Sequence, residues 1–599
     1  MPHTQRFAAW QRAIGARLSQ QGRALVDRVP SLGIDESTLL IGFALAIGAT
    51  VGVAVVVFFR LIDLAQEIAL GAAARVPGAA FLSIAVVVLA GLVLARLLVV
   101  YGANDSDGEN IPSVLLAVAK RGACIHVWPP IAKLFSTAIL IGTGGSVGPE
   151  GPVAVAGAGL GSRLGRFFRS GAPRLRVLVA CGAAAGISAA FNAPIAGVFF
   201  SLEKILGSFG VSAFPPILVA SVIAAAISRA AFGNSPVIGI PREYGIGSTE
   251  ELLLYALMGI ALGVVAVAFT RVTSRTTDLM ARIGRRSGQV LVAAAVLAGL
   301  NIVFRADLWG SGHETLRITM LGERTWYFLL ALAAAKLVAT AFTLTAARCG
   351  GIFTPALFIG ATFGGGFAVT VDQVFGFHVL PEAFGLVGMA GMVAGATHAP
   401  LTAIMIVFEM TGDYQLILPL MLTGALAYLT ARRLHPDSIY SAWLTRRGEN
   451  IVHGRDEAIL ERLTVRSCYN ANPDVIGENA TVEQIIRAIG SSTQMEFPVL
   501  DTDRRFIGML TYNALRAVVS DRDSLAPVVV AADLVEEGYA SVTPDDSLRT
   551  ALKRLAVSGG QYIPVVAPDD AHRLLGVVSR TEIFAAYDRA LLAEAEYAH

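Results

Sequence analysis

At residues 142–152 the chain reads GTGGSVGPEGP, which follows an apolar run and precedes a predicted helix of small residues. A glycine-rich turn at a helix N-terminus presents free backbone N–H groups where the helix dipole is positive, so anions bind there. Residues 350–355, GGIFTP, form a second such turn before another predicted helix. Glycines also let membrane helices pack closely, which is the structural alternative. Two matching turns favour the first interpretation and predict one shared anion site.

Glu150 lies inside the first of these turns, between Pro149 and Gly151. An ionisable group deep in a membrane segment is energetically costly and is functional by default. At an N-terminus suited to anions, its carboxylate would occupy the site itself and would leave on protonation. This predicts a gate that couples anion movement to protons, and a simple N-capping acid is the alternative.

The composition indicates a membrane protein, because 54% of the 599 residues are hydrophobic and only 15% are charged. Soluble proteins carry about a quarter charged residues. The run over 39–59 has no charge and is long enough to span a bilayer. Several later runs are short and broken by glycine or proline, yet backbone polar groups cannot be left bare in lipid. The sequence therefore predicts broken helices around a buried polar centre, as in transporters.

The membrane part contains an internal repeat. Three residues recur at an offset of 203 positions (336−133, 351−148 and 355−152): Lys133 recurs as Lys336, Gly148 as Gly351 and Pro152 as Pro355. The stretch NAPI at 192–195 recurs as HAPL at 398–401, and Glu203 recurs as Glu409, at an offset of 206. The two halves are therefore duplicates, either parallel or inverted; inverted halves would bring the broken segments together.

A soluble part follows the membrane part, and it also contains a repeat. FPVL at 497–500 and GMLT at 508–511 recur as IPVV at 563–566 and GVVS at 576–579, each copy predicting two strands before a helix. The predicted domains are an N-terminal segment 1–36, a membrane domain 37–445, a linker 446–455, and two modules, 456–525 and 526–599. Arginines at both ends of the membrane domain predict that the N-terminus and the modules are cytoplasmic, in a multi-pass protein of the cell (inner) membrane.

These motifs resemble the CLC family of chloride channels and chloride/proton antiporters, followed by a tandem pair of CBS domains. The resemblance covers residues 37–445 and 456–590. It implies an all-α polytopic membrane domain of two inverted repeats with broken and tilted helices, and a cytoplasmic α/β CBS pair. It also implies a homodimer with a pore in each protomer, which transports chloride as a channel or as an antiporter.

The resemblance also assigns site residues. Glu150 matches the family's external gating glutamate, with Gly151 beside it among the anion-binding positions. The intact GIF-x-P motif implies that the N–H groups of Ile352 and Phe353 hold the central anion. Tyr440 matches the ion-coordinating tyrosine, whose neutral phenol binds an anion without trapping it.

Three residues depart from the family pattern. Glu109 stands where the family has a serine that faces the inner anion, and its carboxylate would repel chloride unless it is protonated; we expect a weak inner site. Pro149 replaces the basic residue before the gate and has no N–H to offer. Lys204 stands where antiporters place an internal proton-relay glutamate, one residue after Glu203. Strict proton coupling is therefore not implied.

CBS pairs commonly bind adenine nucleotides through a serine or threonine after the second strand and an acid three residues later. The second module offers Ser579 and Glu582, whereas the first offers Thr511 but Ala514 in place of the acid. We expect one nucleotide site, for ATP or another adenine nucleotide, and no required cofactor. A purely structural dimerisation pair is the alternative.

Two other protein classes fit parts of the sequence. CBS pairs also accompany magnesium transporters, but positive helix ends and intramembrane lysines have the wrong polarity for a divalent cation. A membrane metalloprotease would need a second histidine after His313-Glu314, which the sequence lacks. We therefore expect no enzyme activity, no metal site and no nucleic acid partner, and we expect chloride-like anions, protons and the lipid bilayer as partners.

Lys133 and Lys336 lie in apolar runs at equivalent positions of the repeat. They would either raise the positive potential around a buried anion, or pair with Glu203 and Glu409 to hold helices together. The sequence favours neither alternative.

Overall fold

A computed structural model describes residues 36–74, 80–103, 110–168, 170–233, 251–312, 324–449, 455–492, 494–511, 514, 529–536 and 538–596. The chain divides into two compact units, Met1–Ile451 and Val452–His599. We call them the membrane unit and the soluble unit.

The described residues of the membrane unit are helical. Its helices are α1 (Glu36–Ala74), α2 (Ala80–Gly102), α3 (Asn110–Lys120), α4 (Trp128–Gly142), α5 (Glu150–Phe167), α6 (Ala172–Phe191), α7 (Pro194–Phe200), α8 (Phe214–Phe232), α9 (Glu251–Arg282), α10 (Arg286–Val303), α11 (Trp326–Ala347), α12 (Phe353–Phe375), α13 (Pro381–Thr397), α14 (Pro400–Thr411), α15 (Ile417–Leu434) and α16 (Ile439–Thr445). A π-helical turn, Ser201–Leu206, continues α7, and a 3-10 turn, Tyr414–Leu416, precedes α15.

This unit contains both long and short helices. Nine helical segments of the described part are long and apolar enough to cross a bilayer. Others are much shorter, since α7 has 7 residues and α14 has 12, and a spanning helix needs about 20. Short helices that end at membrane depth must be walled by protein. The prediction of broken helices around a protein centre is confirmed.

The two halves are inverted repeats. Gly148 and Gly351 pair as an antiparallel bridge, with Gly148 N 2.9 Å from Gly351 O and Gly351 N 2.7 Å from Gly148 O. Because the two segments run in opposite directions and exchange the same bonds, a two-fold relation passes between them. Helices α5 and α12 begin two residues after the bridged glycines, at Glu150 and Phe353. The spacing alone left parallel and inverted repeats open, the resemblance implied inverted ones, and the structure has the inverted arrangement.

A close glycine contact joins the first two long helices of each repeat core. A Cβ on Gly157 of α5 would lie 2.1 Å from the carbonyl oxygen of Gly182 in α6. A Cβ on Gly360 of α12 would lie 2.3 Å from that of Gly388 in α13. The second pair follows the first by 203 and 206 positions (360−157 and 388−182). Small residues at these crossings let the backbones touch, and this packing fixes where α5 and α12 begin.

The soluble unit is an α/β structure. Its elements are α17 (Arg455–Arg462), β1 (Ile476–Gly477), α18 (Val482–Ser491), β2 (Phe497–Leu500), β3 (Phe506–Leu510), α19 (Leu548–Ser558), β4 (Tyr562–Val566), β5 (Leu574–Ser579) and α20 (Arg580–Glu596). Strand β2 pairs parallel with β1 and antiparallel with β3, and β4 pairs antiparallel with β5. Val499 is opposite Gly508 and Val565 is opposite Gly576, so the sequence repeat is also a structural repeat. The predicted fold class is confirmed in both units.

Candidate anion site

Glu150 begins α5 and is fully buried. Its carboxylate accepts a hydrogen bond from the backbone N of Phe353 at 2.6 Å and another from Thr354 Oγ1 at 2.9 Å. Both donors belong to the N-terminus of α12, where the helix dipole is positive. A negative group of the first repeat therefore occupies the anion-favouring helix end of the second repeat.

Two glycines make room for this carboxylate. A Cβ on Gly148 would lie 2.0 Å from Glu150 Oε2, and a Cβ on Gly351 would lie 2.0 Å from Glu150 Oε1. The glycines that pair the two repeats therefore also border the space that the carboxylate occupies. Any side chain at Gly148 would compete with the carboxylate for this space.

A small cavity of about 60 Å³ lies next to Glu150, and we call it the Tyr440 cavity. Among its lining residues are Gly151, Gly351, Ile352 and Tyr440. Tyr440 is 4% exposed, and its hydroxyl has no hydrogen-bond partner among the described residues. A buried hydroxyl without a partner is unfavourable, so a group that enters the cavity gains a donor there. The structure therefore brings together Glu150, Gly151, Ile352, Phe353 and Tyr440.

Helix α16 positions Tyr440 through its own cap. Ser438 Oγ accepts from the backbone N of Ser441 at 3.2 Å, and Ser441 Oγ accepts from the backbone N of Ser438 at 2.8 Å. This reciprocal pair satisfies two orphan donors at the helix start. Tyr440 lies two residues after Ser438 and takes no part in this cap. Its hydroxyl is therefore not used by the cap.

Two of the departures from the family pattern lie at the edges of this site. Pro149 is the N-cap residue of α5, so the turn that carries Glu150 lacks one N–H. Glu109 lies outside the described residues, and its predicted repulsion of the inner anion stays a prediction. Helix α3 begins at the next residue, Asn110.

Lys336, on α11, is a fully buried lysine. Its Nζ donates to the carbonyl oxygens of Leu308 at 3.2 Å and Gly310 at 2.9 Å, and it lies 4.9 Å from the ring centre of Phe358. The side chain is therefore held by a turn and by a ring of α12, not by Glu409. The described contacts of Lys336 thus differ from a helix-holding pair with Glu409, and its electrostatic role at the anion site stays a prediction.

The proton-relay position lies in the π-helical turn after α7. Glu203 accepts hydrogen bonds from the backbone N of Leu401 at 3.3 Å, from the backbone N of Thr402 at 2.9 Å and from Thr402 Oγ1 at 2.6 Å. Lys204 is buried beside it, with 5% of its surface exposed. Glu203 thus caps α14, and Lys204 is the titratable group left at the relay position.

The predicted nucleotide residues lie in the soluble unit. Glu582 accepts hydrogen bonds from Ser579 N at 2.7 Å and Ser579 Oγ at 2.9 Å, and Ser579 Oγ accepts from Glu582 N at 3.1 Å. This is a capping box at the start of α20. Thr511 directly follows β3, as Ser579 ends β5. Ser579 and Glu582 lie together, and each is the other's hydrogen-bond partner.

The sequence profile of voltage-gated chloride channels matches residues 87–432 of this chain, which include Glu150, Ile352 and Phe353 but end before Tyr440. The chain belongs to the CLC family. A CBS domain profile matches residues 530–589, within the soluble unit. The suspected resemblance of both parts is confirmed.

Individual relatives agree with this assignment. The H(+)/Cl(−) exchange transporter ClcA of Salmonella agona is 30% identical over 449 residues, 73% of this chain and 93% of the relative. The chloride channel protein CLC-f of Arabidopsis thaliana is 29% identical over 505 residues, 73% of this chain and 64% of the relative. A solved eukaryotic CLC transporter superposes with a TM-score of 0.62 at 20% identity, covering 92% of this chain and 99% of its own. This last likeness concerns the fold.

Sequence reasoning missed two hydroxyls of this site. Thr354 donates to the Glu150 carboxylate, and it occupies the variable position of the GIF-x-P motif, so the motif gave no signal for it. Thr402 donates to Glu203, and it follows the repeated stretch HAPL directly. The sequence did contain a signal for Thr402, because a hydroxyl next to a helix start that recurs in the repeat is a good hydrogen-bond partner for a carboxylate.

Proposed function

We propose that this chain moves chloride or a similar anion across a membrane, with Glu150 as the gate. One observation carries the proposal: the Glu150 carboxylate lies on the backbone N–H of Phe353, where a free anion would bind. Two negative groups cannot share these donors. Transport therefore requires the carboxylate to leave before the anion takes its place.

Protonation of Glu150 weakens the interactions that hold its side chain at the N-terminus of α12. A neutral carboxyl interacts less with the dipole of α12 and with the hydroxyl of Thr354, whereas an anion gains both. The hydroxyl of Tyr440 in the adjoining cavity offers a further donor. Backbone N–H and neutral O–H groups bind an anion through their dipoles, without a direct ion pair to trap it. These donors also disfavour a magnesium ion, which prefers oxygen acceptors.

Purified protein in liposomes tests this function. An outward chloride gradient should drive chloride efflux that Glu150→Ala makes independent of pH, while wild-type efflux rises as the pH falls. Efflux that is identical in wild type and Glu150→Ala at every pH would contradict the gate.

The same liposomes decide how protons take part. Uphill proton movement that is driven by the chloride gradient and abolished in Glu150→Ala identifies an exchanger. Chloride efflux without proton movement identifies a channel or an uncoupled carrier. Lys204→Glu restores the family's relay acid and should strengthen any coupling, and Lys204→Met is its matched control.

We further propose a homodimer in the cell (inner) membrane with both ends of the chain cytoplasmic. Ile195 and Leu401, at equivalent positions of α7 and α14, are 42% and 43% exposed, which suits a face covered by a second copy or by lipid. Cross-linking in native membranes tests the dimer. Protease added to inside-out vesicles should remove the soluble unit, whereas protease added to right-side-out vesicles should not.

An adenine nucleotide at Ser579 and Glu582 remains our proposal for regulation. The nucleotide would have to compete with the hydrogen bonds that the two residues make to each other. Equilibrium binding of ATP to the full chain, compared with Glu582→Ala, tests the site. Binding that is unchanged in Glu582→Ala would exclude this position.

A further inference from the structure

A second hydroxyl lines the Tyr440 cavity. Thr273, on α9, borders the same cavity as Tyr440 and Ile352. Its Oγ1 is buried and has no hydrogen-bond partner among the described residues, as is also true of the Tyr440 hydroxyl. Thr273 and Tyr440 therefore line one small cavity beside the gate, and each carries a buried hydroxyl without a partner, although they come from helices far apart in sequence.

Thr273 differs from the other threonines of this region. Threonines in helices commonly donate to the carbonyl oxygen one turn earlier. Thr270 donates to Ala266 O at 3.2 Å, and Thr277 donates to Thr273 O at 3.0 Å. Thr273 Oγ1 makes no such bond. A buried hydroxyl that gives up this local bond is unfavourable unless something in the cavity replaces the bond.

The charged residues around the cavity indicate which kind of group would bind Thr273 Oγ1. Arg348 and Arg446 also line it, and none of its described lining residues is acidic. Arg446 is held in place by Asp278 and by the carbonyl oxygen of Ser274. Positive side chains around a small cavity favour an anion over a cation.

We propose that Thr273 Oγ1 is a second side-chain ligand of the transported anion in the Tyr440 cavity. This inference rests on the proposed function. The family's inner site uses a serine hydroxyl, and Glu109 stands at that position in this chain. Thr273 supplies a hydroxyl from a different helix and so compensates for the missing serine.

Three variants on one helix test the proposal. Thr273→Val keeps the branched shape and removes the hydroxyl, Thr273→Ser keeps the hydroxyl, and Thr270→Val is the matched control because its hydroxyl is already bonded within α9. Chloride binding to the purified full chain is measured by calorimetry, and chloride efflux from liposomes is measured over a range of chloride concentrations.

We expect Thr273→Val to raise both the chloride dissociation constant and the half-saturating chloride concentration by about threefold to tenfold, the loss of one hydrogen bond. Thr273→Ser should stay close to wild type, as should Thr270→Val. If Thr273→Val fails to fold, Thr273→Ala replaces it, with the same expected change.

Two outcomes would overturn the proposal. Unchanged chloride binding in Thr273→Val, with normal wild-type transport, means that the hydroxyl does not bind the anion. Reduced efflux with unchanged binding means that the hydroxyl orders water only. A wild-type protein that moves no anion would instead refute the proposed function, so the two failures are distinguishable.

Discussion

Glu203 and Glu409, which lie 206 positions apart (409−203), cap each other's helices across the repeat. Glu203 follows α7 and binds the N-terminus of α14 at Leu401 and Thr402. Glu409 lies near the end of α14 and binds the N-terminus of α7, at Ile195 N with 3.0 Å and Ala196 N with 2.7 Å. Each carboxylate thus neutralises the positive end of the other short helix. Two helices too short to span a bilayer are stabilised as one reciprocal pair.

Removal of either carboxylate should destabilise this helix pair. Glu203→Ala and Glu409→Ala each leave two or more backbone N–H groups without a charged partner, and we expect each to lower the free energy of unfolding by about 2 kcal/mol. The double variant should lose less than the sum, because both contacts hold the same two helices. Thermal unfolding in detergent measures this, with Glu67→Ala on α1 as the exposed control. Strict additivity would show that the two caps act independently.

The spacing of the repeated residues revealed the duplication but not its direction, which only the family resemblance implied. Matches such as Gly148 with Gly351 give only spacing, and spacing is the same for parallel and inverted halves. The direction follows from the antiparallel bridge between those glycines, which is a contact across 203 positions (351−148). The caps of Glu203 and Glu409 escaped prediction for the same reason, since a carboxylate's partner on the opposite repeat leaves no local pattern.

The ion pair between Lys120 and Glu449 should make stability depend on pH. Lys120 Nζ lies 2.6 Å from Glu449 Oε2. The hydrogen bond from Lys120, and then its charge, lower the pKa of Glu449 below its ordinary value. A lowered pKa in the folded state means that the pair stabilises the fold above the ordinary pKa of glutamate and is lost as the pH falls through the lowered value.

We therefore expect Glu449→Gln to unfold at a slightly lower temperature than wild type at pH 7, with the difference vanishing as the pH falls through the lowered pKa of Glu449. High salt should also reduce the difference, because both groups are exposed. A difference that persists in acid would mean that Glu449 acts through something other than its charge.

Glu582 should matter for α20 whether or not a nucleotide binds. Glu582→Ala breaks the capping box with Ser579, and we expect it to weaken the start of α20 by about 1 kcal/mol. Glu582→Gln keeps an acceptor oxygen and is the matched control. Hydrogen exchange of the first amides of α20 in the full chain measures the effect. Equal exchange in all three proteins would contradict the cap.

The centre of the site was predictable and its surroundings were not. Glu150 and Phe353 belong to local motifs whose glycines and charge can be recognised in one stretch of chain. Thr273 and Lys336 act through long-range packing of α9 and α11, and an isolated threonine or lysine in an apolar run gives no hint of its partner. Local chemistry marks the ends of helices, and only the fold shows which ends meet.

The space between Gly148 and Glu150 provides a direct test of the gate. A methyl group on Gly148 would lie 2.0 Å from Glu150 Oε2, and the next two nearest heavy atoms, both at 2.5 Å, belong to the same carboxylate. Gly148→Ala should therefore expel the carboxylate from the N-terminus of α12 while leaving the packing of the helices intact. We expect chloride efflux at neutral pH to rise toward that of Glu150→Ala, and its pH dependence to decrease.

The decisive comparison is the double variant Gly148→Ala/Glu150→Ala. Because alanine at 150 already empties the space, the added methyl group should have no further effect on efflux, whereas it acts strongly when Glu150 is present. Such non-additivity is expected only if the two side chains compete for one position. An equal effect of Gly148→Ala in both backgrounds would mean that the methyl group disturbs the bridge to Gly351 instead, and the assignment of Glu150 as a gate would lose its geometric basis.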